Sequence, residues 1–95
     1  MSALNKLTVK INGQEYTLTS EETREYMLSV ADLVDKKMRQ VAHNDPGLST
    51  SRIAVLAALN LADENIRLKH SNDALTKSIV RYTERINALE EKLNK

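Results

Sequence analysis

From Ser51 to Lys95 the chain contains neither proline nor glycine, and strong helix formers dominate it. One helix of about 45 residues is predicted there, roughly 65 Å long at ~1.5 Å per residue. Few other features constrain the fold as much, because a helix of that length outruns any core so short a chain can build. Its sequence supplies the remedy. Leu75, Ile79, Tyr82, Ile86, Leu89 and Leu93 recur at alternating spacings of four and three, which is the heptad repeat of a coiled coil. Ile79 and Ile86 take a positions while Leu75 and Leu89 take d, the distribution that favours two parallel strands, and Arg85 at g is placed to meet Glu90 at e of a partner helix. Carried backward, the register puts Asn65 and Asn72 at a, with Leu61 and Leu68 at d. Buried asparagines fix register at some loss of stability.

The run Ile53-Ala54-Val55-Leu56-Ala57-Ala58-Leu59-Asn60-Leu61-Ala62, ahead of those heptads, is apolar nearly all the way round. Such a helix is buried on more than one side. One side packs on the N-terminal segment, and the other needs a second chain, because 95 residues folding alone bury only a modest share of their surface. The self-association interface expected on these grounds comprises Leu59, Leu61, Leu68, Leu75, Ile79, Tyr82, Ile86, Leu89 and Leu93.

Ahead of the long helix, residues 6–11 alternate, with Leu7, Val9 and Ile11 on one face and Thr8 and Lys10 on the other. Asn12-Gly13 is the strongest two-residue hairpin signal, and a type I′ turn there sets Ile11 against Gln14, Val9 against Tyr16 and Leu7 against Leu18. A lone hairpin is marginal, so its apolar face requires a helix against it and a second hairpin beside its open edge. Thr19 with Glu22 reads as a capping box opening that helix at once. Tyr26, Val30, Leu33, Val34, Met38 and Val41 form the stripe expected to cover the hairpin, and Tyr16 and Tyr26 read as core residues. His43-Asn44-Asp45-Pro46-Gly47 then breaks the helix.

Composition narrows the function classes. Fourteen basic residues against thirteen acidic ones leave a formal charge of +1, unlike an ordinary nucleic-acid binder. The chain lacks cysteine, so disulfides and thiolate metal sites are excluded, which suits a reducing cytoplasm. Met1-Ser2-Ala3-Leu4-Asn5-Lys6 carries no secretory pattern, and the longest apolar stretch, residues 53–61, is about half the ~20 residues needed to cross a membrane. A soluble protein with no membrane partner is expected. Two histidines without ligand spacing, two glycines and no phosphate loop argue against an enzyme and against any cofactor or metal. His43 beside Asn44 and Asp45 reads as a helix end. Lys36, Lys37 and Arg39, with Lys10, form either a surface for an acidic partner or a solvated face flanked by Asp32 and Asp35. Arg52 stands apart, because a cation at a helix start opposes the local dipole and calls for a contact beyond its own helix.

Three stretches resemble the ZapA family of bacterial cell-division proteins: Val9-Lys10-Ile11-Asn12-Gly13-Gln14-Glu15-Tyr16, Val30-Ala31-Asp32-Leu33-Val34-Asp35-Lys36-Lys37-Met38, and Thr50-Ser51-Arg52-Ile53-Ala54-Val55-Leu56-Ala57-Ala58-Leu59-Asn60. The last is the most specific. The resemblance implies a cytoplasmic, non-catalytic protein of the mid-cell division ring that binds FtsZ, the tubulin-like GTPase, and promotes cross-linking, bundling and stability of its filaments. It further implies dimers formed through head and proximal helix, tetramers formed by pairing of coiled coils, and an FtsZ contact at Gln14, Ser51, Arg52 and Leu56. The expected architecture is α+β: residues 1–48 form a head of hairpin and helix, and residues 49–95 a long helix whose part beyond about residue 70 is a coiled coil. Two other readings stay open, a coiled-coil dimer associated with nucleic acid and a structural adaptor or accessory subunit. The former wants a basic stretch leading into the zipper, whereas residues 53–63 are apolar and acidic.

Overall fold

A computed structural model describes residues 3–94. Met1, Ser2 and Lys95, which include the start of the segment read for a secretory pattern and the last residue of the expected helix, lie outside the described residues. The order of elements is β1 (Asn5–Ile11), β2 (Gln14–Ser20), α1 (Arg24–Asn44) and α2 (Thr50–Leu93). This is the expected hairpin and helix followed by a long helix. The chain divides into two compact units, Met1–Leu61 and Ala62–Lys95.

In the first unit, β1 and β2 pair antiparallel in the register set by Asn12-Gly13, with Ile11 opposite Gln14, Val9 opposite Tyr16 and Leu7 opposite Leu18. Asn12 and Gly13 have φ of 52° and 82°, the two positive values that a type I′ turn demands and that asparagine and glycine tolerate best. Helix α1 packs on β1. The inner face is therefore covered unevenly: Val9 is 5% exposed, whereas its partner Tyr16 is 44% exposed.

The start of α1 differs from the expected capping box at Thr19. Thr19 pairs with Lys6 in the ladder, and the strand runs on to Ser20 because β1 begins early enough, at Asn5, to offer partners that far. Thr23 caps the helix instead, its hydroxyl accepting from the Tyr26 amide at 3.1 Å.

The buried face of α1 is Met27, Ala31, Asp35, Met38 and Val41, with Val34 partly buried beside it. Of the predicted stripe, Val34, Met38 and Val41 turn inward, but Tyr26, Val30 and Leu33 stand exposed. Small Ala31 lets the helix approach β1 closely. Asp35 gains its buried place through chemistry, since its Oδ1 accepts the Asn12 amide at 2.7 Å, and its Oδ2 lies 3.2 Å from Nε of Arg39. The carboxylate ties the hairpin turn to the helix, a role not apparent when it is read as the flank of a solvated face. Lys36 pairs with Asp32 at 2.9 Å, so both cations are engaged on their own helix, which favours the solvated reading of that basic group.

Past Asn44 the chain breaks at Pro46 and at Gly47, whose φ is 102°. Ser49 caps α2, its hydroxyl accepting from the Arg52 amide at 3.3 Å. Leu48 before the cap and Ile53 one turn inside belong to a single packed cluster, the arrangement of a hydrophobic staple. Met38, Val41, Ile53 and Ala57 are the buried members of that cluster, with Ile11, Val34, Ala42 and Leu48 around them.

In the second unit the helix stands by itself. Leu68, Leu75, Ile79, Tyr82, Ile86, Leu89 and Leu93 are all exposed along it. Asp63 and Arg67 form an i,i+4 pair at 3.0 Å, and the hydroxyls of Thr76 and Thr83 donate back to the carbonyls of Asn72 and Ile79.

Replacing Asp35 by Ala leaves the part-buried Asn12 amide without its acceptor, so stability is expected to fall by about 1–3 kcal/mol. Asp35→Asn, which keeps an accepting oxygen, loses less. Urea unfolding at one fixed protein concentration checks this, and coincident curves for Asp35→Ala and the parent would show the turn to be held by other means.

Candidate partner-binding surface

Helix α2 opens with two opposite demands on neighbouring residues. Ile53 and Ala57 turn into the cluster, Ala57 being 2% exposed. The 3.6-residue period then forces the positions between them outward. Ser51, Arg52, Val55 and Leu56, together with Leu48 from the preceding loop, line an open groove of about 330 Å³. Val55 and Leu56 give it apolar walls, and both are exposed.

Its polar part is one-signed. The first turn of α2 contains no acidic residue, so the partial positive charge of the helix start is uncompensated. The Arg52 guanidinium adds a full charge there, and it has no carboxylate partner among the described residues. An apolar groove with a bare cation at its rim suits a partner segment that is apolar and acidic.

Of the residues expected to form the contact, Ser51, Arg52 and Leu56 come together here. Gln14 does not line the groove. It begins β2, exposed, with its Oε1 accepting from the Tyr16 hydroxyl at 3.0 Å. The link between the two places is indirect: Ile11, opposite Gln14 in the ladder, packs against the cluster that holds Ile53.

Leu48 and Val55 belong to the same surface and were not singled out by sequence. Leu48 carried a usable signal, an apolar residue immediately before a serine cap. Val55 was hidden in a run apolar on every side. Leu59 is also exposed on α2, while Leu61 is half-buried. Tyr16 and Tyr26, expected in the core, are exposed, and Leu18, Tyr26, Met27 and Val30 line a second hollow between β2 and α1. Among the described residues no helix is long and apolar enough to cross a membrane.

A model of the family described as Cell division protein ZapA matches residues 7–93. The chain belongs to the ZapA family. A ZapA protein of Geobacillus sp. (strain WCH70) is 38% identical over 74 residues, covering 78% of this chain and 85% of that protein. Another, from Bacillus thuringiensis (strain Al Hakam), is 36% identical over 77 residues, covering 81% and 86%. Among solved structures, a ZapA mutant dimer from Geobacillus stearothermophilus superposes with a TM-score of 0.64 at 30% identity, covering 83% of this chain and 92% of that one. The family match takes in the hairpin from Leu7 onward, both helices and every groove residue.

Surface and core are separable by mutation. Arg52→Glu is expected to leave stability within about 0.5 kcal/mol, since its side chain is exposed, whereas Ile53→Ala costs about 2–4 kcal/mol by opening the cluster. Thermal or urea unfolding of the two variants side by side checks the contrast.

Proposed function

We propose that this chain is a non-catalytic accessory of cell division, acting in the cytoplasm at the mid-cell ring. It self-associates into a homodimer, with paired dimers as the tetramer, and binds FtsZ filaments so as to cross-link, bundle and stabilise them. One observation carries this reading above the family match: α2 spends Ile53 and Ala57 on its own head yet presents Val55, Leu56 and Leu59 bare beside an unpaired Arg52. Side chains of that kind are normally covered by another protein. Membership of a cell division family supports the choice of partner.

The mechanism needs no reaction. A dimer carries two copies of the groove, so a second filament contact becomes intramolecular and gains avidity without new chemistry. The heptad residues beyond Lys69 provide a seam for pairing, separate from the groove residues in sequence.

Co-sedimentation with polymerised FtsZ tests the contact. Arg52→Glu is expected to weaken pelleting by roughly tenfold in apparent affinity, the scale of a lost charge-assisted contact. Wild-type pelleting by that variant would move the contact elsewhere. Ile86→Lys places a charge at an a position of the heptad, so it should still pellet with filaments while bundling, read by light scattering and electron microscopy, declines. Full bundling by Ile86→Lys would assign bridging to the head dimer alone.

A further inference from the structure

The two residues that make the hairpin turn tight are also the pair in this chain most open to covalent change. An asparagine loses its side-chain amide when the backbone nitrogen of the next residue attacks its Cγ, and a glycine in that next place obstructs the attack least. Asn12-Gly13 is the one such pair in the sequence. Nothing lies within 4 Å of where a Cβ on Gly13 would stand. Among the described residues the Gly13 amide has no backbone partner, and no hydrogen bond holds the Asn12 carboxamide. Other asparagines are better protected. Asn60, Asn65, Asn72 and Asn87 lie inside α2, where the following amide is bonded within the helix. The amide after Asn44 donates to the Val41 carbonyl at 3.1 Å, and Nδ2 of Asn5 donates to the Glu22 carbonyl at 2.8 Å.

The closed turn nevertheless withholds the reaction. Cγ and the attacking nitrogen become members of one five-membered ring, so Cβ and that nitrogen must come to the same side of the Cα–C bond. In a type I′ turn the first central residue has a ψ of about +30°, the mirror of type I, which points the nitrogen almost directly away from Cβ. Ring closure therefore waits for the turn to open. Asp35 opposes that opening, because its Oδ1 accepts the Asn12 amide at 2.7 Å and the carboxylate is itself buried on a helix packed against β1. We propose that Asn12 is a site of spontaneous deamidation and that Asp35 is the latch that sets its rate.

Water is the only co-reactant. The Gly13 amide gives its proton to solvent base and its nitrogen bonds to Cγ of Asn12; the side-chain nitrogen leaves as ammonia, and a cyclic imide remains. Water then adds at one of the two ring carbonyls and breaks that carbon's bond to the Gly13 nitrogen. Opening at Cγ gives aspartate, and opening at the main-chain carbonyl gives isoaspartate. Either product loosens the latch. Aspartate brings a second carboxylate to the residue that Asp35 grips, and like charges so placed repel. Isoaspartate routes the main chain through Cβ and adds a backbone atom to a two-residue turn whose closure sets Ile11 against Gln14. Ile11 packs on the cluster of Met38, Val41, Ile53 and Ala57, so the change reaches the core of the head. The turn is in this sense a clock, which runs only while the hairpin is open and cannot be reset by refolding.

Ageing the full-length protein at mildly alkaline pH and physiological temperature, followed by digestion in acid and mass spectrometry, tests both parts. The peptide holding Asn12 is expected to show the mass gain of amide-to-acid conversion ahead of every other asparagine, slowly in buffer and many times faster in urea. Asp35→Ala, its fold confirmed by circular dichroism, is expected to convert about tenfold faster than the parent, the shift in local opening that loss of one ordinary hydrogen bond produces. Asp35→Asn, which keeps an accepting oxygen, should stay near the parent rate. The parent in buffer against the parent in urea reads the gate without any substitution. Conversion of another asparagine first, or none at Asn12 even in urea, overturns the site. Equal rates in buffer and in urea overturn protection by the turn, and equal rates for folded Asp35→Ala and the parent overturn the latch.

Discussion

Met38 and Val41 of α1 meet Ile53 and Ala57 of α2 in a cluster on which the rest of the head depends. Ala57 is its most buried member, at 2% exposed, and Leu48 packs against the cluster from the loop. The turn end of the hairpin joins it through Ile11 at the edge of the cluster and through the Asn12 amide bound by Asp35, one turn before Met38. Everything displayed on the surface follows from those attachments. With Ile53 and Ala57 held inward and Ser49 capping the helix, Ser51, Arg52, Val55 and Leu56 have no direction left but outward.

So small a core cannot cover all the apolar side chains around it. Tyr16, Tyr26, Val30 and Leu33 stay exposed on the hairpin and α1, and Val55, Leu56 and Leu59 on α2. Taken by itself, the second unit has the same character, a helix whose heptad leucines and isoleucines face solvent. Surface of this kind is a demand for company, and in the reading offered here it is the functional principle of the molecule. In that proposal, copies of the chain cover each other's apolar surface and assembly multiplies the proposed filament contact.

How far sequence reached depended on the range of the interaction. Asn12-Gly13 dictated turn type and register together, because positive φ at both positions admits few residues and a two-residue turn leaves one pairing. Pro46-Gly47 marked the break between the helices as firmly. Helix α1 was harder. It has one apolar stripe through Tyr26, Val30 and Leu33 and another through Met27, Ala31 and Met38, and periodicity does not choose between them. The choice fell to the stripe with the smaller residue at its centre, where the helix crosses β1. The cap, read at Thr19, lies at Thr23, because Thr19 is taken up in the ladder with Lys6. The groove was legible in part: Arg52 drew notice by opposing the helix dipole, whereas Leu48 and Val55 became part of a surface only when Ile53 was fixed inward.

By itself the sequence determined the elements and the need for a partner: a hairpin, a first helix, a break, and a long helix with more apolar faces than one chain can cover. These rest on local rules, the φ of a turn residue, the missing amide of proline and the spacing of leucines, which act within a few residues. The tertiary structure decided which face of α1 lies inward, that Asp35 holds the hairpin turn, and that Ser51, Arg52 and Leu56 share a groove that Gln14 does not line. Burial is a relation between segments distant in the chain. A carboxylate 23 residues from the amide it accepts leaves no periodic trace, because the bond exists only once both have been packed into place.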